Sequence, residues 1–224
     1  MSHEHIPGMR EHEMEPIPGL PARLPPGEGI LWQGGPAWWP FARRALHIRG
    51  LAFYFLVLIA WQVAEAAAGG ASFAEVLAAP AMSVTLAFAC LGILTLIGRA
   101  LAKATLYTIT NRRIVMRVGV ALPMTINIPF AAIQSAAARR RADGTEDIVL
   151  DLTPEHRVSI VALWPHLRPW RMGRPAPMLR ALPVTSGAAQ VLARALAASA
   201  AMPVGARQPT PTGADVAIPG AVVA

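Results

Sequence analysis

Three histidines near the start of the chain are the residues whose type and spacing come closest to a metal site. His3, His5 and His12 lie among glutamates, and imidazole and carboxylate groups are common zinc ligands. Nothing in this proline- and glycine-rich stretch fixes a coordination geometry, so we interpret the histidines as part of a solvated tail. The sequence therefore predicts no metal site.

A second candidate is an acid–base cluster in the C-terminal half. Asp151, Glu155 and His156 are of the types that act in general acid–base catalysis. They surround a predicted turn, where such residues are usually solvated. The 224 residues contain no glycine-rich phosphate loop, no metal-ligand spacing and no nucleophile elbow. We predict no catalytic residues, no cofactor and no enzymatic activity.

The elements that organise the chain are two apolar runs around a short turn at Gly69 and Gly70. Each run is close to the roughly 20 residues that a helix needs to cross a hydrocarbon core of about 30 Å. A helix in a soluble core is this apolar over only about 10–14 residues, which disfavours a soluble hairpin. We predict a transmembrane hairpin over residues 48–100, with spans at residues 48–68 and 76–98.

Basic residues flank the hairpin on one side only. They lie just before the first span and just after the second, whereas the connecting loop carries only acidic residues. By the positive-inside rule both long flanks, and so both termini, are expected in the cytoplasm. The residues expected to contact lipid head groups are Arg43, Arg44, Arg49, Arg99 and Lys103.

The segments on either side of the hairpin predict one cytoplasmic domain that the spans interrupt. After Lys103 the pattern changes to the alternation of strands. A short apolar run within residues 27–36 predicts a strand that cannot stay folded alone. It must pair with the strand-rich region beyond the hairpin. The strands predicted there cover residues 105–110, 114–118, 122–128, 133–141, 148–152 and 158–163.

The C-terminal part of the chain predicts a single helix. Prolines between residues 165 and 183 are expected to exclude regular structure, whereas residues 186–201 are good helix formers with Ser186 as a candidate N-cap. A strand meander closed by one helix is the outline of a pleckstrin-homology-like barrel.

The predicted fold class is therefore an α+β membrane protein. A two-helix transmembrane hairpin is inserted in a split cytoplasmic antiparallel β-barrel of the pleckstrin-homology-like type, with a C-terminal helix. The predicted units are a disordered tail at 1–26, the first strand at 27–36, the hairpin at 48–100, the domain at 104–201 and a second disordered tail at 202–224.

Charge composition points to the membrane surface as a partner. The formal net charge is +7, and a basic group near anionic lipid gains about 1 kcal/mol. The arginine run at residues 139–141 is equally consistent with a solvated strand end and with a lipid or partner contact. We expect membrane lipids as partners and no nucleic acid, because no aromatic-interleaved RNA motif occurs.

Small residues form a stripe along one face of the second span. The stripe consists of Ala81, Thr85, Ala89 and Gly92. In lipid, close backbone approach across small residues is a main source of attraction between helices. We expect the stripe to pack on Ala60, Ala64 and Ala67 of the first span. Docking of a second copy, giving a homodimer, or of a client helix is the alternative.

Two sequence blocks carry a resemblance to a known family. One is Trp-Gln-Gly-Gly-Pro at residues 32–36, followed by Arg-Ala-Leu-His-Ile-Arg at residues 44–49. The other is a tyrosine–threonine–asparagine–arginine block after the hairpin. The motif residues are Trp32, Gly34, Pro36, Tyr107, Thr110, Asn111 and Arg112. With the hairpin between the blocks, the chain resembles bacterial pleckstrin-homology membrane proteins and, more narrowly, the PuhB family of photosynthetic complex assembly proteins of purple bacteria.

The resemblance implies a non-enzymatic, chaperone-like factor in the inner, intracytoplasmic membrane of a bacterium. Its implied partners are subunits of the photosynthetic reaction centre and of the core antenna. The predicted spans contain no histidine, the usual ligand of pigment magnesium, so we predict that no pigment is bound as a cofactor. A general membrane-anchored structural or stress module of the bacterial pleckstrin-homology kind stays open as the alternative.

Overall fold

The structure of the protein is a computed structural model. The described residues are 19–20, 23–120, 123–156, 158–168 and 175–201. His3, His5 and His12 lie outside these residues, as does most of both predicted tails. Leu20, which falls in the predicted N-terminal tail, is buried with 1% of its surface exposed.

Two long apolar helices form a hairpin. Helix α2 is Ile48–Ala68 and helix α4 is Ala81–Ala104, and the short helix α3 (Phe73–Ala78) connects them. Two stretches have the length and composition needed to cross a membrane, namely Ile48–Ala68 and Phe73–Ala104, the second of which includes α3 and α4. Helix α4 begins later than the predicted residue 76, because Pro80 lacks the backbone N–H that a continuous helix would require.

The face of α4 that contacts α2 is not the predicted one. All members of the small-residue stripe are exposed: Ala81, Thr85, Ala89 and Gly92. Ala60, Ala64 and Ala67, expected to pack against the stripe, are exposed as well. The Gln62 amide instead donates a hydrogen bond to the Ser83 hydroxyl at 2.8 Å. The predicted packing is wrong, because Gln62 and Ser83 turn toward each other and form this hydrogen bond between the helices.

In the described part of the chain, seven strands form two antiparallel sheets, which confirms the α+β class. In the first sheet the order is β1 (Ile30–Gly34), β2 (Leu106–Thr110), β3 (Arg113–Val118) and β4 (Met124–Pro129). In the second it is β5 (Ile133–Arg140), β6 (Thr145–Leu152) and β7 (Met178–Pro183). Strand β1 pairs with β2, so the strand before the hairpin joins the strands after it, as the lone-strand argument predicted.

The closed barrel of the prediction is wrong: the strands belong to two separate sheets. Pro129 ends β4, and residues 130–132 form a 3₁₀ turn before β5 begins. A proline cannot donate to a strand ladder, so the chain leaves the first sheet here and starts the second.

Two further predictions in this region are wrong. Residues 158–163 were expected to form a strand, but Ile160–Leu163 forms a helical turn, α5. Strand β6 already pairs with β5 on one edge and β7 on the other, so no edge is open beside it. The proline-rich stretch was expected to lack regular structure up to residue 183, yet it contains β7, whose only proline, Pro183, is the last residue of the strand.

The core lies between the two sheets and beneath helix α6 (Ala188–Ala201). Its largest fully buried members include Tyr107, Ile114 and Met116 of the first sheet and Leu150, Leu179 and Leu182 of the second. Leu192 of α6 is 1% exposed and completes the core. The helix begins two residues after Ser186, because Val184–Ser186 forms a 3₁₀ turn that ends at Gly187 with a left-handed φ of +68°.

Candidate functional site at the helix–domain junction

Helix α1 (Trp38–Ala45) joins the apolar hairpin to the β domain. Its buried face packs against the end of α4 and against β7. Ala42 approaches Gly98 of α4 so closely that a Cβ added to Gly98 would overlap the Ala42 Cβ. His47, with a left-handed φ of +52°, then turns the chain into α2. We call the region formed by α1, the last turns of α4 and residues 141–147 the junction.

A buried carboxylate is the centre of the junction. Asp147 of β6 is 4% exposed. Its Oδ2 accepts hydrogen bonds from Arg44 Nη1 at 3.1 Å and is 2.8 Å from Arg141 Nη2. Its Oδ1 accepts from the backbone N–H of Ala181 at 2.9 Å, and the Ala181 carbonyl accepts from the N–H of Ala37 at 2.8 Å. Asp147 therefore ties α1, the β5–β6 turn and β7 together.

The turn between β5 and β6 supplies a second ion pair to α1. Asp143 Oδ2 accepts from Arg43 Nη2 at 3.0 Å. Asp143 Oδ1 accepts from the Thr145 hydroxyl at 2.6 Å, and this hydrogen bond is the main reason that the pKa of the Asp143 carboxyl is lowered. Gly144 has the positive φ, +74°, that an Asp-Gly turn needs. Both arginines of α1 are therefore held by carboxylates of one turn and strand.

A neutral histidine is buried beneath the junction. His166 is 1% exposed, and its ring lies 5.3 Å from that of Phe41. Its Nδ1 is 2.7 Å from the Tyr107 hydroxyl oxygen and its Nε2 is 3.3 Å from the hydroxyl oxygen of Thr105. Burial lowers the pKa of His166 to about 3 and raises the pKa of Tyr107. Both side chains are uncharged at neutral pH, and they bind α1, β2 and the segment before β7 together.

The protein is expected to lose stability below pH 6.5 because of His166. Its pKa is lowered from 6.5 to about 3 in the folded chain, so the unfolded chain takes up a proton in this window and the folded chain does not. The stabilisation that depends on neutral His166 is fully present above pH 6.5. Between pH 6.5 and about pH 3, the free energy of unfolding falls by about 1.4 kcal/mol for each pH unit of acidification. Thermal unfolding of the full-length protein in neutral detergent at pH 7.5 and 5.5 measures it. His166→Gln should reduce the difference in stability between the two pH values, whereas His156→Gln, on an exposed turn, should not. An equal pH dependence of the two variants would contradict the assignment of this effect to His166.

The first motif block holds the domain's sheet and helix together. The Trp32 indole N–H donates to the Ser186 carbonyl at 3.0 Å, in the 3₁₀ turn just before α6. A Cβ at Gly34 would lie 2.7 Å from the Trp32 ring, so glycine makes room for it. Pro36 is half-buried just after β1.

The second motif block holds β1 onto the sheet. The Asn111 side chain donates to the Gly27 carbonyl at 2.9 Å and accepts from the Gly29 N–H at 3.1 Å. The Thr110 hydroxyl accepts from the N–H of Arg112 at 3.1 Å. In this structure both blocks therefore join the chain before the hairpin to the chain after it.

The basic residues expected at the lipid surface occupy different surroundings. The two on α1 bind carboxylates of the domain, as described above. Arg99 lies over the Trp38 ring, with its guanidinium carbon 5.1 Å from the ring centroid. Arg49 and Lys103 are exposed at the ends of α2 and α4.

Sequence reasoning missed Asp147 and His166 of the junction, and it interpreted Arg141 as a solvated strand end or a lipid or partner contact rather than as a partner of Asp147. The available signal was the adjacent pair Glu146–Asp147 near the start of β6, since acidic side chains on both faces of a buried strand would have to meet partners.

The fold and the junction define an α+β protein in which two apolar helices interrupt a pleckstrin-homology-like domain. Residues 50–165 match the family described as Bacterial PH domain, and the chain belongs to that family. It is 36% identical over 190 residues to a Rhodobacter capsulatus protein described as an uncharacterized 23.7 kDa protein in the puhA 5' region, covering 84% of this chain and 89% of that protein. No solved structure matches the chain significantly.

Proposed function

We propose that the protein is a non-enzymatic membrane factor that assists assembly of the photosynthetic reaction centre and its core light-harvesting complex. The observation that carries the proposal is the 36% identical Rhodobacter capsulatus relative, whose description places it in the puhA 5' region. That location suggests a link to the photosynthetic gene cluster. The resemblance of the two motif blocks to the PuhB family points the same way.

The uncovered apolar surface of the hairpin supports a role in contacting other membrane subunits. Phe53 and Trp61 of α2 are 67% and 69% exposed, and Phe88 of α4 is 77% exposed. The small-residue stripe lies on this uncovered surface, where a second helix could approach closely. Subunits of the reaction centre and core antenna are the proposed occupants, and a homodimer is the competing one.

The junction supports the other half of the proposal, a domain held at a fixed position over the hairpin base. Asp147 and its arginines bind α1 to the domain, and Gly98 lets α1 pack on α4. A subunit bound to the hairpin would then meet the same domain surface each time.

Both termini are proposed to lie in the cytoplasm of a bacterium, with the hairpin in the inner membrane. The basic residues beside the apolar helices predict this orientation. Alkaline phosphatase is active only outside the cytoplasm, so a fusion after Gly70 should be active and a fusion after Ala201 inactive. Activity in the reverse pattern would contradict the orientation.

Deletion of the gene tests the proposed function. Membranes of the deletion strain should contain less assembled reaction centre and core antenna, whereas pigment synthesis should be largely intact. Near-infrared absorption of the membranes measures both complexes.

A further inference from the structure

An open cleft of about 550 Å³ lies beside the junction, between the start of α2 and the second sheet. Its lining includes seven arginines, contributed by α1, α2, β5, β7 and the segments that follow β5 and precede β7. Among the described residues, Asp147 is the single acidic residue that lines it. The cleft therefore holds more arginines than the ion pairs of the junction use.

Three of the seven arginines are already paired. Arg43 binds Asp143, and Arg44 and Arg141 both bind Asp147. These contacts hold the junction together, so the ion pairs fix the positions of these three guanidinium groups in the lining of the cleft.

Three other arginines have no such partner. Arg49 comes from the first turn of α2, Arg139 from β5 and Arg168 from the segment before β7. Among the residues that the structure describes, no hydrogen bond or ion pair is made by these three side chains. Three separate elements thus bring arginines without an ion pair of their own to one cleft, and a bound anion would lower their mutual repulsion.

The seventh arginine, Arg180, shows the same deficit in a buried position. Its Nη2 donates to the Leu167 carbonyl at 2.8 Å. Its Nε is buried and has no hydrogen-bond partner within the described part of the chain. Buried N–H groups are normally satisfied, so Arg180 adds a charged and incompletely paired group to the positive lining of the cleft.

We propose that this cleft binds the phosphate group of an anionic membrane phospholipid, held by Arg49, Arg139 and Arg168. Guanidinium groups match phosphate oxygens in a bidentate geometry. The uncharged part of α2 begins at Leu51, two residues after Arg49, so a phosphate in the cleft places its acyl chains along that helix. The inference rests on the proposed membrane anchoring of the hairpin and is independent of the assembly role.

Lipid binding by the full-length protein tests the proposal. The protein, released from membranes in neutral detergent, is titrated with phosphatidylglycerol, with phosphatidylcholine and with inorganic phosphate, and bound lipid is counted by native mass spectrometry. The test variant replaces the three unpaired cleft arginines: R49Q, R139Q and R168Q. The matched control removes the same charge elsewhere, at exposed positions outside the cleft: R23Q, R140Q and R194Q.

Phosphatidylglycerol should bind at least about tenfold more tightly than phosphatidylcholine, and the cleft variant should lose at least about tenfold, since each charge-assisted contact is strong. The control should stay within about twofold of the wild type, since nonspecific surface charge contributes little. Equal losses in both variants, or no preference for phosphatidylglycerol, would overturn the proposal. Inorganic phosphate that displaces the lipid at equal concentration would support the phosphate site but overturn the lipid as its source. If the triple variant unfolds, Arg168→Gln, an exposed side chain, is taken through the same titration and should also weaken binding.

Discussion

Replacing Asp147 by asparagine is expected to lower the free energy of unfolding by about 3 kcal/mol. Asparagine keeps the carbonyl oxygen that accepts from Ala181 but removes the charge that Arg44 and Arg141 share. Breaking a buried ion pair costs about 3–5 kcal/mol. The lower end applies because the two arginine side chains are 22% and 34% exposed, so water compensates in part.

Denaturant unfolding of the full-length protein in neutral detergent measures this effect. The matched control is Asp143→Asn, a neighbouring carboxylate with 23% of its side chain exposed, which should cost no more than about 1 kcal/mol. Equal losses for the two variants would show that Asp147 is not the centre of the junction.

Replacing Gly98 by valine is expected to release α1 from α4. A side chain at Gly98 would overlap the Cβ of Ala42 and lies near Leu46. Overpacking of this kind costs about 1–3 kcal/mol, and here the neighbouring backbone of a helix must move. The half-buried arginines of α1 would become accessible, so trypsin should cleave the variant after Arg43 and Arg44 much faster than it cleaves the wild type.

Gly92→Val is the control for that experiment. It places the same side chain on the same helix, and a Cβ at Gly92 would meet nothing within 4 Å. Its cleavage rate should equal that of the wild type. Similar rates for Gly98→Val and Gly92→Val would contradict the close packing at the junction.

Much of the fold follows from local rules that the sequence obeys. The short apolar run containing Ile30 predicted a strand that had to pair beyond the hairpin, because unpaired strand edges are unstable, and β1 does pair with β2. The turn between β5 and β6 follows the local rule that Asp-Gly supplies a positive φ, and Gly144 has a φ of +74°. These features depend on a few neighbouring residues.

What could not be predicted depends on distant neighbours. The strand expected near Ile160 fails because both edges of β6 are occupied, by β5 and by β7. The stripe containing Gly92 faces away from α2, because α4 is turned so that Ser83 accepts a hydrogen bond from Gln62 of α2. Small-residue spacing alone does not specify which face of a helix is buried.

Only some residues of the candidate site were predicted from the sequence, and none of their contacts. Arg43 and Arg44 were singled out for their position beside the apolar run, but the structure pairs them with Asp143 and Asp147. Those carboxylates lie about a hundred residues later in the chain, and no local pattern brings them to α1. Tyr107 was recognised as a motif residue, whereas its partner His166 lies in a segment that was expected to be irregular.

The amount of assembled reaction centre in a strain lacking this gene is the most direct test of the proposed function. Near-infrared absorption of membranes from the deletion strain should show a loss of reaction-centre and core-antenna bands. Extracted pigment should stay near the wild-type amount, and the intact gene supplied in trans should restore both bands. Membranes with unchanged reaction-centre absorption would contradict the assembly role.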